Sequence, residues 1–320
     1  MPRFLSRLAV AGTAVALTAG LITPSAAQAA AEPAGRVRTL AWAALGDSYT
    51  AGFVEAAGDE TEPRDGCART TGSYPELIRR GLGPLVELRN VSCAGATVKD
   101  VYQTKEAPPG RPLPPLGTNP GAPFPPVPSQ IDAVSPGADV ITVEIGGNTL
   151  GFAEILKGCI ELGAAVLGQG TPCKDKFDAS LPDRFNQLRG DFDQMLGALH
   201  AKAPSARLLT IGYPHLVPED ATRCTYGNLE QFATFTTGDL AWARTAILEP
   251  LNAIIAQRTA ARGDAFVDLY PSTTGHSVCD QDHWLDGVLT SIIPLRYALV
   301  HPNAKGQAHA AALVEDAVLS

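Results

Sequence analysis

A chain of 320 residues that is 45% hydrophobic and 18% charged carries enough apolar material to bury a core, which excludes the disordered and low-complexity classes. Its formal charge of −8 gives it no electrostatic reason to seek nucleic acid or an anionic membrane surface. A neutral or interfacial substrate fits better, and the absence of an internal repeat excludes solenoids and propellers.

The chain opens on a targeting segment. Arg3 and Arg7 make a positive start, residues 8–22 an apolar stretch diluted by Gly12, Thr13, Thr18 and Gly20, and Ala27-Gln28-Ala29 a small-x-small cleavage site. The stretch is shorter than the roughly 20 residues a spanning helix needs. No arginine pair marks the twin-arginine route, and no cysteine near the cleavage site offers a lipid anchor. Residues 1–29 are therefore predicted to be a signal peptide. Residues 30–320 are predicted to be a single secreted, extracellular domain, monomeric and without a stable membrane anchor.

Beyond the leader, apolar runs alternate with helical patterns, which predicts βαβ units and a parallel sheet. Strands are predicted at 42–45, 86–91, 140–145, 208–212 and 265–269, and helices at 74–80, 182–200, 239–262 and 303–318. The run Val140-Ile141-Thr142-Val143-Glu144-Ile145 is β-branched almost throughout and reads as a buried central strand. Pro75 early and Gly81 at the end bracket the first helix. Ten of the 26 prolines fall within 108–128, a segment that suits neither a helix nor a central strand. It reads as an extended loop, either a border of the active site or a surface excursion.

Six cysteines, Cys67, Cys93, Cys159, Cys173, Cys224 and Cys279, all follow the leader. An even number in an oxidising compartment predicts three disulfides. Sequence alone leaves many pairings open, and the spacing in twos favours sequential pairing: Cys67 with Cys93, Cys159 with Cys173, Cys224 with Cys279. No Cys-x-x-Cys occurs, which argues against a zinc site.

The chemistry begins at Ala44-Leu45-Gly46-Asp47-Ser48-Tyr49, where a tight turn places a hydroxyl just past the first strand. Acyl transfer needs a nucleophile, a base for its proton and donors for the oxyanion. Ser48 follows the first strand. Gly95, in Cys93-Ala94-Gly95-Ala96-Thr97, follows the second and can bring its N–H close. Asn148, in Gly146-Gly147-Asn148, follows the third and offers an amide donor. His301, in His301-Pro302-Asn303, stands before the last helix. Asp47 reads as a turn carboxylate that accepts backbone N–H bonds.

In these four blocks, from Ala44 to Gly306, the chain resembles the GDSL, or SGNH, hydrolases, and most closely their secreted actinobacterial lipase and esterase branch. The resemblance implies an α/β fold of three layers, α/β/α, with a flavodoxin-like parallel sheet. It also implies a cofactor-free serine ester hydrolase with Ser48, Gly95, Asn148 and His301 as its site. Acyl lipids, short-chain esters or acetylated glycans are the implied substrates.

Two departures stand out. Thr149 replaces the aspartate of the family's Gly-x-Asn-Asp block, and it is expected to cap the following helix. Ala298 stands where the family commonly has the aspartate that orients histidine. A backbone carbonyl, that of Ala298, is the favoured substitute; Asp280, Asp282 and Asp286 are the alternatives. Without a buried carboxylate partner, His301 is expected to titrate near 6.5. Gly275-His276-Ser277-Val278-Cys279 lacks the final glycine of a nucleophile elbow and reads as a decoy. The same departures motivate a rival reading, an exported binding or adhesion module on an inactive hydrolase scaffold.

Overall fold

Five strands form the central sheet: β1 (Leu40–Gly46), β2 (Val86–Asn90), β3 (Val140–Glu144), β4 (Arg207–Ile211) and β5 (Ala265–Val267). The computed structural model describes residues 38–54, 58–111 and 122–320. The leader 1–29 and residues 112–121 of the proline-rich segment lie outside the described residues. All neighbouring strands are parallel, in the order β2-β1-β3-β4-β5. The winding therefore reverses between β1 and β3, and open α/β sheets bind ligands past the strand ends at such a reversal.

Because side chains alternate along a strand, each strand feeds two cores. Ala43, Leu45, Ile141, Val143 and Leu208 pack with the helices Val98–Tyr102, Leu181–Lys202 and Glu249–Ala260. Trp42, Ala44, Val140, Leu209 and Ile211 pack with Tyr74–Leu82 and Ala304–Leu319. The result is the three-layer α/β/α fold that the resemblance implies, built on the parallel sheet that the alternating pattern called for. All five residues of β3 are buried, as befits its β-branched run.

The predicted helix 239–262 is helical but not uniform. It runs as Thr237–Trp242, a π-helical stretch Ala243–Leu248, and Glu249–Ala260. Pro250 has no N–H to give to the turn before it, and the wider turn accommodates that loss. Two further helices, Phe152–Ala165 and Pro172–Phe177, went unpredicted. Gly158 and Gly163 weaken the helical signal of the first; the Phe177 ring and the Thr234 backbone lie against it at those two positions.

The disulfides join Cys67 to Cys93, Cys159 to Cys173 and Cys224 to Cys279. The first anchors the loop after β2, and the second holds Phe152–Ala165 to Pro172–Phe177. Among the described residues no helix is long and apolar enough to cross a membrane.

Candidate active site

The turn after β1 is held from three sides. Gln130 grips Gly46, accepting its N–H at 2.8 Å and donating to its carbonyl at 2.9 Å. Gly46 has φ +145°, and a Cβ there would stand 2.6 Å from the Glu144 carbonyl oxygen, so a side chain would force β1 and β3 apart. Asp47 donates its N–H to that carbonyl at 3.0 Å. Its carboxylate accepts the Tyr49 N–H at 3.0 Å, starting the short helix Ser48–Ala51. Ser48 then faces the last block: its Oγ lies 2.6 Å from His301 Nε2.

The other ring nitrogen of His301 meets main chain. Nδ1 lies 2.8 Å from the Ala298 carbonyl oxygen and 2.9 Å from that of Leu299. Carbonyl oxygens only accept, so Nδ1 carries the proton and the Nε2 lone pair is left for the Ser48 hydroxyl. To aim both carbonyls inward, Leu299 and Val300 take φ of 53° and 63°, a costly region for residues with a branched side chain. Neighbouring bonds hold them there. Ala298 and Leu299 both donate to the Val288 carbonyl at 3.0 Å, and Val300 donates to that of Gly287 at 2.7 Å. The Tyr49 hydroxyl donates to the Val300 carbonyl at 2.7 Å.

The three aspartates are engaged elsewhere: Asp280 with Ser277 and Arg223, Asp282 with Lys305, Asp286 with Asn303. The Ala298 methyl is fully buried among Phe53, Val54, Ala68 and Ala94. Tyr49 and Phe53 also flank the imidazole, with ring centroids 4.8 and 4.9 Å away. Burial lowers the His301 pKa to about 4, against the smaller opposing pull of the two carbonyls. The expectation of 6.5 is thereby corrected; it counted missing charges and overlooked desolvation.

Gly95 and Asn148 line one groove with Ser48 and His301. Gly95 is exposed and has φ +92°, and Cys93, two residues before it, is pinned by its disulfide. Asn148 donates one amide hydrogen to the Ala96 carbonyl at 3.0 Å, which leaves the second for a ligand. Thr149 does not cap the next helix, whose N-cap is Gly151. It accepts the Val98 N–H at 3.0 Å instead, tying the Asn148 turn to the Gly95 loop.

Two hollows meet at Ser48 and Asn148. One is an apolar cavity of about 90 Å³ walled by Leu150, Ile155, Leu216, Phe235 and Leu251 among others. The other is the open groove, about 610 Å³, which runs past Gly95 and Pro109 toward Lys157 and Glu161. Buried carboxyls sit behind them. Desolvation raises the Asp47 pKa to about 7 against hydrogen bonds from Tyr213 and the Tyr49 N–H. It also holds Glu144 well above the carboxylate range and lifts Glu106 to about 8.

Ser277 is fully buried and donates to Asp280 at 2.7 Å. Tyr213, Leu299 and Val300 were not foreseen. Only the aromatic Tyr213-Pro214 ending of the fourth apolar run hinted at the first.

A family model described as the GDSL-like lipase/acylhydrolase family matches residues 44–309. Among curated proteins, the chain is 30% identical to "Lipase 2" of Streptomyces coelicolor over 314 residues, 96% of this chain and 95% of that protein. It is also 30% identical to an "Esterase" of Streptomyces scabiei, covering 98% and 94%. Among solved structures, an extracellular lipase from Streptomyces rimosus superposes with a TM-score of 0.65 at 25% identity, covering 87% of this chain and all of that one. A phospholipase A1 from Streptomyces albidoflavus gives 0.63 at 25% identity, over 87% and 99%.

Proposed function

Since this chain belongs to the GDSL-like lipase/acylhydrolase family and is an enzyme of the lipase/esterase kind, we propose that it is a secreted serine ester hydrolase working through Ser48 and His301. One observation carries the reading: Ser48 Oγ lies 2.6 Å from the unprotonated nitrogen of a histidine whose other nitrogen is fixed by two carbonyls.

His301 Nε2 takes the Ser48 proton as Oγ bonds to the ester carbonyl carbon. The resulting oxyanion sits among the Ser48 and Gly95 N–H groups and the free Asn148 amide hydrogen. Nε2 then gives the proton to the departing alkoxide as the ester C–O bond breaks. Water, deprotonated by the same nitrogen, attacks the acyl-enzyme and releases the acid and Ser48. The carbonyls of Ala298 and Leu299 fix the tautomer and stabilise the imidazolium less than a carboxylate would. One chain supplies every group, so no second copy is required.

The apolar cavity suits an acyl chain and the open groove a leaving alcohol. Carboxylic esters of acyl lipids or of short-chain acyl compounds are therefore the substrates, in line with the names of the relatives. Export rests on the leader pattern of residues 1–29, the three disulfides and the extracellular lipase among the neighbours. The rival reading as an inactive binding module fits poorly with a Ser48–His301 pair in bonding contact.

A fluorophosphonate probe should label the wild type once, at Ser48. Ser48→Ala should lose labelling and at least about 10⁴-fold in kcat, with little change in melting temperature. Retained hydrolysis or labelling in Ser48→Ala would refute the assignment.

A further inference from the structure

The β1–β3 ladder ends where Gly46 pairs with Glu144, and the Asp47 N–H to the Glu144 carbonyl is a last backbone bond beyond it. Past that point the chains part. One enters the Ser48 helix and the other the turn Gly146-Gly147-Asn148.

Tyr213, two residues beyond β4, spans the gap. Its hydroxyl accepts the Gly147 N–H at 2.9 Å, which leaves its own proton for Asp47 Oδ2, 2.5 Å away. Each bond therefore lands one residue before a site residue, Ser48 on one side and Asn148 on the other. The Tyr213 backbone is itself held. Its N–H donates to Asn252 Oδ1 at 2.8 Å, and its carbonyl accepts from Asn252 Nδ2 at 2.9 Å. The ring is 3% exposed and stands edge-on to Tyr49 with centroids 5.0 Å apart. A buried hydroxyl with both partners satisfied, on a backbone gripped at both ends, is a rigid strut.

We propose that Tyr213 is a positioning residue whose hydroxyl sets the spacing between the Ser48 turn and the Asn148 amide, so that the oxyanion forms where the amide can reach it. The proposal rests on the reading of Ser48 as nucleophile and Asn148 as oxyanion donor. Its physical warrant is the steep cost of a donor displaced from the developing charge.

A double-mutant cycle tests it, with kcat counted per site titrated by a fluorophosphonate so that misfolded protein does not enter. Tyr213→Phe keeps the ring and removes the strut's two bonds. In the wild-type background kcat should fall about tenfold or more with KM within twofold, since a misplaced catalytic group can cost up to about 10²-fold. In an Asn148→Ala background the same substitution should change kcat less than twofold, because the group it positions is gone. Asp47→Asn, which weakens the strut from its other end, should show the same dependence on Asn148 and serves if Tyr213→Phe folds poorly.

Equal losses in both backgrounds would overturn the proposal, as would a loss confined to KM or an unchanged kcat with a lowered melting temperature. Those results leave the site assignment standing. If Asn148→Ala itself retains wild-type kcat, the oxyanion assignment fails and the strut fails with it.

Discussion

On one side of Ser48 the groups are dry, with His301 6% and Asp47 1% exposed. On the other side Gly95 is open to solvent and Asn148 half-buried. The means of holding them differ too. His301 is oriented by the main-chain carbonyls of Ala298 and Leu299, aimed by the positive φ of Leu299 and Val300. Gly95 and Asn148 are tied by side chains and a disulfide: Tyr213 on Gly147, Thr149 on Val98, Cys67 on Cys93. Main-chain orientation survives most side-chain changes nearby, whereas tethers made of side chains can be cut singly. Burial governs the chemistry on the dry side. On the wet side, water must leave when substrate arrives before the donors act at full strength.

The largest expected effect among tests of this contrast is on the wet side. Asn148→Ala should lower kcat about 10²–10³-fold, the usual cost of one preorganised oxyanion donor. KM should move far less, because the charge the amide meets exists only in the transition state. Steady-state kinetics on a soluble ester decides it. A loss carried by KM would make Asn148 a ground-state binding group.

On the dry side the expected signature is in pH. His301 accepts a proton only when neutral, so activity should fall with acid through about 4, where burial has placed its pKa, and hold level above about 5. At pH 5 a base with the ordinary value of 6.5 would be mostly protonated, roughly 30-fold less active than one titrating at 4. A kcat/KM profile with its acid limb near 6.5 would show that His301 is better solvated than its surroundings indicate. Ala298→Asp should not raise activity: the methyl it replaces is fully buried among Phe53, Val54, Ala68 and Ala94, where a new carboxylate would be desolvated.

Much of this was legible in the residues. The five strands announced themselves through apolar runs, and four blocks at four strand or loop ends named Ser48, Gly95, Asn148 and His301 as candidates before any geometry. What stayed hidden depends on contacts between distant segments. The local pattern of Thr149 reads as a helix cap; only the approach of Val98 gives it another partner. The His301 pKa follows from enclosure by Tyr49 and Phe53, and neither residue signals that in sequence. Leu299 and Val300 carry no sign of a positive φ, since that conformation is imposed by Gly287, Val288 and Tyr49. Pro250 marks the change of pitch within 239–262, and the helical pattern continues on both sides of it.

The smallest expected effect concerns Glu106, a buried acid on the wet side. Glu106 pairs its backbone with Val127, and its Oε1 would lie 3.6 Å from a Cβ on Gly95. The carboxyl is buried, and among the described residues neither oxygen has a hydrogen-bond partner. Desolvation first, then the charges of Asp100, Asp47 and Asp65, raise its pKa from 4.5 to about 8 against the pull of Arg69. Between those values the folded protein holds a proton that the unfolded chain has released. The stabilisation is therefore fully present below about 4.5, is lost as pH rises to about 8, and changes no further above it. Glu106→Gln has no such proton to lose. Its melting temperature relative to wild type should rise between pH 5 and pH 8.5 by a few degrees and then level off. Asp47 titrates in an overlapping range and is present in both proteins, so only its coupling to Glu106 enters the difference. Thermal melts of the two proteins across that range make the measurement. A difference that stays constant with pH would mean that Glu106 ionises as an ordinary surface acid, leaving no buried acid beneath the oxyanion loop.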